Sequence, residues 1–154
     1  MSFRERWTLR VYGWVMWLLQ PLLRLKLARR AKAEPGYACH VEQRFGHHLP
    51  HRPQVLHGAA LVWVHAVSLG ETRAAAVLLQ ALRETLPGMR LLLTHTTATG
   101  RSDGTRLLQT GDVQTWLPWD SPGAVTRFFD PFSTHSGRLD GNRSVAPTGC
   151  RLSA

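Results

Sequence analysis

The feature that most constrains the fold is an apolar run followed directly by a helical pattern. Residues 61–67 read LVWVHAV, and this run of mainly β-branched and aromatic side chains predicts a short strand buried on both faces. Residues 68–71 break the pattern, and residues 72–82 have the composition of a helix. A strand, a tight turn and a helix open a βαβ unit, in which ligands bind at the carboxyl ends of the strands. The sequence therefore predicts a ligand site at residues 68–71.

The same alternation recurs twice downstream. We predict that the first helix ends near residue 86, before Pro87 and Gly88, and that a second strand spans residues 90–95. The remaining expected elements are a turn at 96–100, a short helix at 101–109, a third strand at 113–117, and a helix from Pro122 to about Phe129. This order implies an α/β fold with a parallel sheet and right-handed crossovers.

Residues 1–32 combine a short apolar segment with basic flanks. Residues 11–23 contain no charged side chain, but these thirteen residues are fewer than the ~20 that a spanning helix needs. The flanks carry eight basic residues against one acidic residue, and they supply most of the chain's net charge of +9. We predict a helix that contacts an anionic membrane, with an ordinary core helix as the alternative. The heavier charge after the segment predicts that the main domain lies on the cytoplasmic face of the membrane.

Residues 33–60 are rich in proline, glycine and histidine and predict a linker, with a helical turn at 42–45 docking under the first strand. The histidines lack the spacing that fixes metal coordination, so we predict no metal and no cofactor. No zinc spacing or RNA-binding motif accompanies the basic residues, so we also predict no nucleic-acid binding.

Several short stretches together resemble the 3-deoxy-D-manno-octulosonic acid (Kdo) transferases of lipopolysaccharide synthesis. The stretches are HAVSLGE at 65–71, LTHTTATG at 93–100, LPWD at 117–120, EPGY at 34–37 and EQRFG at 42–46. The resemblance covers residues 1 to about 130. It implies that residues 61–129 form part of a parallel-sheet, Rossmann-like lobe of a GT-B-type glycosyltransferase, preceded by a short apolar N-terminal helix. A chain of 154 residues has room for one such lobe, which in this family holds the acceptor.

The resemblance also implies an activity. Members of the family transfer Kdo from CMP-Kdo to a hydroxyl group of a lipid A precursor, at the cytoplasmic face of the inner membrane. A hydroxyl is a poor nucleophile and needs a base within hydrogen-bond reach, and Glu71 matches the base of the family. The alternative for Glu71 is local, because Ser68 and Glu71 have the spacing of a capping box.

The substrate-binding residues expected from the resemblance lie in the first two turns. It implies that Thr97, Thr99 and Gly100 line the acceptor pocket, with the formation of the turn as the alternative role of the threonines. Ser68 and Gly70 are expected to contact the phosphate or sugar of the acceptor.

The chain departs from the family pattern after residue 129. Residues 130–154 are rich in glycine, serine, threonine and proline and predict disorder, whereas the family has a strand and a Glu-Thr-Glu-x-Trp-Pro motif there. Codons for residues 139–151 can be chosen so that the frame one base later spells ETEVWP. Our interpretation is a frameshift between about residues 130 and 139 that removes the donor lobe and leaves a truncated, inactive chain. The alternatives are a non-catalytic, membrane-associated α/β binding module and an inert product of a disrupted gene.

Overall fold

A computed structural model describes residues 3–56 and 59–132 of the chain. Helix α1 (Phe3–Ala33) is followed by two 3-10 turns, at Pro35–Ala38 and Val41–Phe45. Strands and helices then alternate. They are β1 (Leu61–Ala66), α2 (Leu69–Thr85), β2 (Arg90–His95), α3 (Ala98–Gly104) with a 3-10 turn at Thr105–Leu107, β3 (Val113–Trp116) and α4 (Pro122–Phe132).

The three strands form one parallel sheet in the order β1-β2-β3, which confirms the predicted α/β fold. Val64 pairs with Leu93 across β1 and β2, and Leu92 pairs with Val113 across β2 and β3. The central strand β2 carries the core. Leu91 and Leu93 pack with Leu79 of α2 on one face, and Leu92 packs with Phe128 of α4 on the other.

The prediction that the first strand is buried on both faces is wrong. Trp63 is 44% exposed, and His65, expected in the core, is exposed while its Nδ1 contacts Thr94. The reason is strand order, because β1 lies at an edge of the sheet among the described residues and β2 takes the central position. A central strand is covered on both faces by helices, whereas an edge strand is covered only where a helix reaches it.

The turn predicted to dock under the first strand lies at the opposite edge of the sheet. The Gln43 side-chain oxygen accepts hydrogen bonds from Thr115 Oγ1 at 3.1 Å and from the Trp116 backbone N–H at 3.3 Å. Gln43 thereby satisfies a backbone donor of β3 that has no neighbouring strand in the described structure. Residues 33–60 are therefore less irregular than expected, since Tyr37 and Phe45 of the two 3-10 turns are buried.

Helix α4 continues beyond the predicted end at Phe129. Phe128 and Phe132 are four residues apart, so they lie on the same helix face and both pack against Leu92. The expectation of disorder is therefore wrong for residues 130–132. The rest of the predicted tail, including the inferred frameshift region after residue 132, lies outside the described residues.

Helix α1 extends well beyond the uncharged segment of residues 11–23. Its C-terminal half is attached to the lobe through Leu27, which is buried in a cluster with Tyr37, Ala98 and Trp116. Near its start, the Tyr12 hydroxyl donates to the Asp120 carbonyl at 2.5 Å. Over the described residues, no helix combines the length and apolarity needed to cross a membrane.

Removing the Asp112 carboxylate should destabilise the lobe strongly. Asp112 accepts hydrogen bonds from the Leu91 and Gln109 backbone N–H groups and from Arg83 at 2.7 Å, and its side chain is fully buried. Asp112→Ala leaves a partly buried guanidinium group unpaired, so we expect it to lower the free energy of unfolding by about 3 kcal/mol.

The matched control is Glu42→Ala, which breaks the solvent-exposed pair with Arg24. We expect a loss of no more than about 1 kcal/mol there. Urea unfolding of the 154-residue chain measures the free energy of unfolding of both variants. An equal loss of stability in Asp112→Ala and Glu42→Ala would contradict the role assigned to Asp112.

Candidate functional site

The carboxyl ends of β1 and β2 are joined by two side-chain hydroxyl groups. Thr96 Oγ1 and Thr97 Oγ1 both donate to the backbone carbonyl of Val67, at 3.1 and 2.7 Å. Because neighbouring parallel strands end at the same edge of the sheet, this bridge brings the turn at 68–71 beside the turn at 96–100. The two segments that carry the predicted site residues therefore adjoin each other.

Ser68 caps α2 as its spacing from Glu71 predicts, but the Glu71 carboxylate bonds to the backbone N–H of Val67 and not to that of Ser68, as a full capping box would require. The Glu71 backbone N–H donates to Ser68 Oγ at 3.3 Å, and the Ser68 hydroxyl in turn donates to Glu71 Oε1 at 3.3 Å. The Val67 backbone N–H donates to Glu71 Oε2 at 2.8 Å. Both carboxylate oxygens are thus held in place while the side chain stays exposed, and each oxygen retains acceptor capacity for a further hydrogen bond.

Two of the predicted binding residues have structural contacts of their own. Thr97 Oγ1 accepts the Gly100 N–H at 3.3 Å and so caps α3. Gly100 is buried, and a Cβ atom there would lie 2.9 Å from Thr97 Oγ1 and 3.2 Å from Thr72 Oγ1. Glycine is therefore needed at this position for α3 to approach the start of α2.

Gly70 and Thr99 are the two predicted binding residues that are exposed without such a role. A Cβ atom at Gly70 would meet only Ser68 Oγ, at 3.9 Å. Thr99 lines an open cavity of about 550 Å³ between α2 and α3, together with Leu69, Arg73 and Arg106. This cavity reaches the start of α2 at Leu69, whereas Ser68, Gly70 and Glu71 are not among its lining residues.

His95 is buried beneath the site and is neutral. Its Nδ1 lies 3.2 Å from the Ala66 carbonyl, and its Nε2 lies 3.0 Å from the Gln114 amide nitrogen. An amide nitrogen can only donate, so Nε2 accepts and the proton lies on Nδ1. Burial lowers the pKa of His95 to about 4, which keeps the ring uncharged at neutral pH.

A basic-aromatic cluster, formed by Arg44, Arg101, Tyr37 and Trp116, was missed by the sequence analysis. The Arg44 guanidinium carbon lies 3.8 Å from the centroid of the Trp116 ring, and that of Arg101 lies 4.8 Å from it. Tyr37 stacks on Trp116 with nearly parallel rings. Arg44 is part of the EQRFG stretch, where Gln43 and Phe45 on either side of it are buried in the structure. The sequence shows this arginine next to an aromatic residue, but it does not show that Arg44 itself is buried. In the ranges 3–56 and 59–132, no three His, Cys, Asp or Glu side chains group as metal ligands would.

A three-stranded parallel sheet flanked by helices is consistent with an α/β glycosyltransferase lobe. Residues 39–137 match the family described as 3-Deoxy-D-manno-octulosonic-acid transferase (kdotransferase). The chain belongs to this family, since the match covers well over half of its length.

Two relatives agree with this assignment. The chain is 47% identical over 135 residues to the 3-deoxy-D-manno-octulosonic acid transferase of Bordetella pertussis, an overlap covering 84% of this chain and 31% of that protein. It is 30% identical over 119 residues to a probable mitochondrial 3-deoxy-D-manno-octulosonic acid transferase of Arabidopsis thaliana. This overlap covers 77% of this chain and 26% of that protein. The chain thus spans 31% of the first relative's length and 26% of the second's. No solved structure gives a significant match.

The two glycines of the site should respond oppositely to alanine. Gly70→Ala adds a methyl group in open space on a helix, so we expect the free energy of unfolding to rise by about 0.4–1 kcal/mol. Gly100→Ala forces a methyl group against Thr97 and Thr72, so we expect a loss of about 1–3 kcal/mol. Urea unfolding measures the free energy of unfolding of both variants. A Gly70→Ala chain less stable than the unchanged chain would refute the open geometry at that position.

Proposed function

We propose that this chain is the acceptor-binding lobe of an enzyme that transfers Kdo from CMP-Kdo to a lipid A precursor, and that Glu71 is the general base. The observation that carries the proposal is the exposed Glu71 carboxylate, held by Val67 and Ser68 at the carboxyl edge of the sheet. Ligands of this fold class bind at that edge.

In the proposed reaction, one carboxylate oxygen of Glu71 accepts the proton of the acceptor hydroxyl group. The hydroxyl oxygen bonds to the anomeric carbon of Kdo as the bond from that carbon to the phosphate of CMP breaks, and CMP leaves with the bonding electron pair. A single displacement of this kind inverts the configuration at the anomeric carbon. The two capping hydrogen bonds fix the direction of the carboxylate, so the base needs little reorganisation when the acceptor arrives.

The residues proposed to contact the acceptor differ in how free they are to do so. Thr99 is exposed and lines the open cavity, Gly70 is exposed, and Ser68 is half-buried with its hydroxyl engaged with Glu71. Thr97 bonds to Val67, and Gly100 lies close to Thr72, so both are taken up by contacts within the lobe. We therefore assign the sugar or phosphate contacts to Ser68, Gly70 and Thr99, with Thr97 and Gly100 setting the position of the second turn.

Two proteins test this function. One is the 154-residue chain, and the other is the same chain continued into the reading frame one base later, which our frameshift interpretation predicts to encode ETEVWP. We assign donor binding to the part of the relatives that this chain does not span, since it covers 31% of the Bordetella protein. Incorporation of labelled sugar into the lipid fraction should therefore occur with the continued protein and not with the 154-residue chain. Both proteins should bind the acylated disaccharide phosphate.

The other outcomes select the alternatives. Binding without transfer by the continued protein would favour a non-catalytic binding module. A 154-residue chain that neither binds the acceptor nor unfolds cooperatively would favour an inert product of a disrupted gene.

We also propose that α1 holds the lobe at the cytoplasmic face of the inner membrane. Trp7, Trp14, Trp17 and Leu22 are all exposed on this helix, and basic residues follow them toward its C-terminal end. Tryptophan and basic side chains are suited to the lipid headgroup region of an anionic bilayer. Because Tyr12 bonds to the turn before α4, at the carboxyl end of β3, a membrane-bound α1 would bring the lipid surface near the candidate site.

Charge placed on α1 should weaken vesicle binding. Trp14, which is 68% exposed, contributes apolar area to the proposed contact, so we expect Trp14→Glu to lower the partition onto vesicles of anionic lipid by roughly tenfold. The control is Val77→Glu on α2, where the side chain is 74% exposed and the partition should not change. Co-sedimentation measures both. Equal pelleting of the two variants, or pelleting without vesicles, would argue for aggregation instead.

A further inference from the structure

Two guanidinium groups of the basic-aromatic cluster lack an acidic partner. Arg44 is only 4% exposed, its Nε is buried without an acceptor, and its one side-chain hydrogen bond runs to the Thr96 carbonyl at 2.9 Å. Arg101 donates to the Gln43 side-chain oxygen at 3.3 Å. Neither arginine forms an ion pair anywhere in residues 3–56 and 59–132.

The neighbouring carboxylates are already committed elsewhere. Glu42 pairs with Arg24, and Oδ1 of Asp103 pairs with Arg106, while Oδ2 of Asp103 is buried without a hydrogen-bond partner. Burial lowers the pKa of Arg44 to about 10, and burial together with the charge of Arg44 lowers the pKa of Arg101 to about 10. Buried charges in proteins are normally paired, so two adjacent cations without a counter-charge are costly unless an anion joins them.

Arg101 also lines a second cavity, on the side of α3 that faces the first 3-10 turn. This cavity has a volume of about 200 Å³, and polar side chains surround much of it. The polar lining includes Arg101, His40, Ser102, Thr105 and Gln114. The space is below the range of pockets that hold a drug-sized ligand, so it suits a small anionic group rather than a whole acylated disaccharide.

We propose that this second cavity binds an oxyanion, a phosphate monoester or a carboxylate, through the Arg101 guanidinium group. Arg44 lies behind Arg101 on the Trp116 ring and acts as a positioning residue whose charge adds to the attraction. The proposed function supplies two sources for the oxyanion, the phosphate of the acceptor and the carboxylate of the transferred octulosonic acid.

The test titrates the 154-residue chain with inorganic phosphate and, separately, with free 3-deoxy-D-manno-octulosonic acid, at constant ionic strength against chloride. Calorimetry or amide chemical shifts of residues 98–105 report binding. We expect saturable binding of at least one of the two anions that Arg101→Gln weakens by about tenfold or more, whereas Arg101→Lys, which keeps the charge but loses the planar guanidinium group on Trp116, weakens binding less. Arg29→Gln, which removes an exposed charge of α1 outside the cavity, should leave binding unchanged.

The two titrations distinguish the sources, since preference for phosphate indicates the acceptor and preference for the octulosonic acid indicates the transferred sugar. Binding no stronger than that of chloride, or equal binding by the unchanged chain and Arg101→Gln, would overturn the proposal. The titrations measure binding and need no turnover. The oxyanion proposal can therefore be refuted while the continued protein transfers sugar, and it can be supported while that protein shows no transfer. Arg101→Gln also relieves repulsion with Arg44. If the glutamine variant does not fold, the affinity of Arg101→Lys tests the contact, since a partial loss supports the proposal and unchanged affinity overturns it.

Discussion

The arrangement of the site depends on the Val67 carbonyl, which accepts hydrogen bonds from both Thr96 and Thr97. These bonds join the end of an edge strand to the end of the central strand. The Val67 N–H group, on the same residue, holds one oxygen of the Glu71 carboxylate. The position of the proposed base is therefore set by the pairing of β1 with β2 and by the cap at Ser68 together, and not by the cap alone.

The sequence was sufficient for features that depend on local pattern. The order of strands and helices, the parallel sheet and the cap between Ser68 and Glu71 all follow from residues that are close in sequence. The exposure of Trp63 was not predictable in the same way, because it depends on which strand occupies the sheet edge. The contact of Gln43 with Trp116 joins residues 73 positions apart, so no local pattern indicates it.

The predicted site residues divide into two groups once their contacts are known. Thr97 and Gly100 are explained by packing between α2 and α3, and this explanation needs no ligand. Gly70, Thr99 and the carboxylate of Glu71 face open space, so packing does not account for them. The sequence placed all of these residues in two turns but did not separate the positions fixed by packing from the exposed ones, because that distinction depends on how closely α3 approaches α2.

The central claim is that the capped carboxylate of Glu71 removes the proton of the acceptor hydroxyl group. The most direct measurement is the transfer rate of Glu71→Gln in the protein continued in the ETEVWP frame, compared with Glu84→Gln, an exposed carboxylate on the same helix. Glutamine keeps the size and some capping capacity, so unfolding stability should change by no more than about 1 kcal/mol. Transfer should fall by roughly 10²–10⁴-fold in Glu71→Gln and stay unchanged in Glu84→Gln. Near-normal turnover by a folded Glu71→Gln protein would contradict the account and leave Glu71 with the cap as its only role.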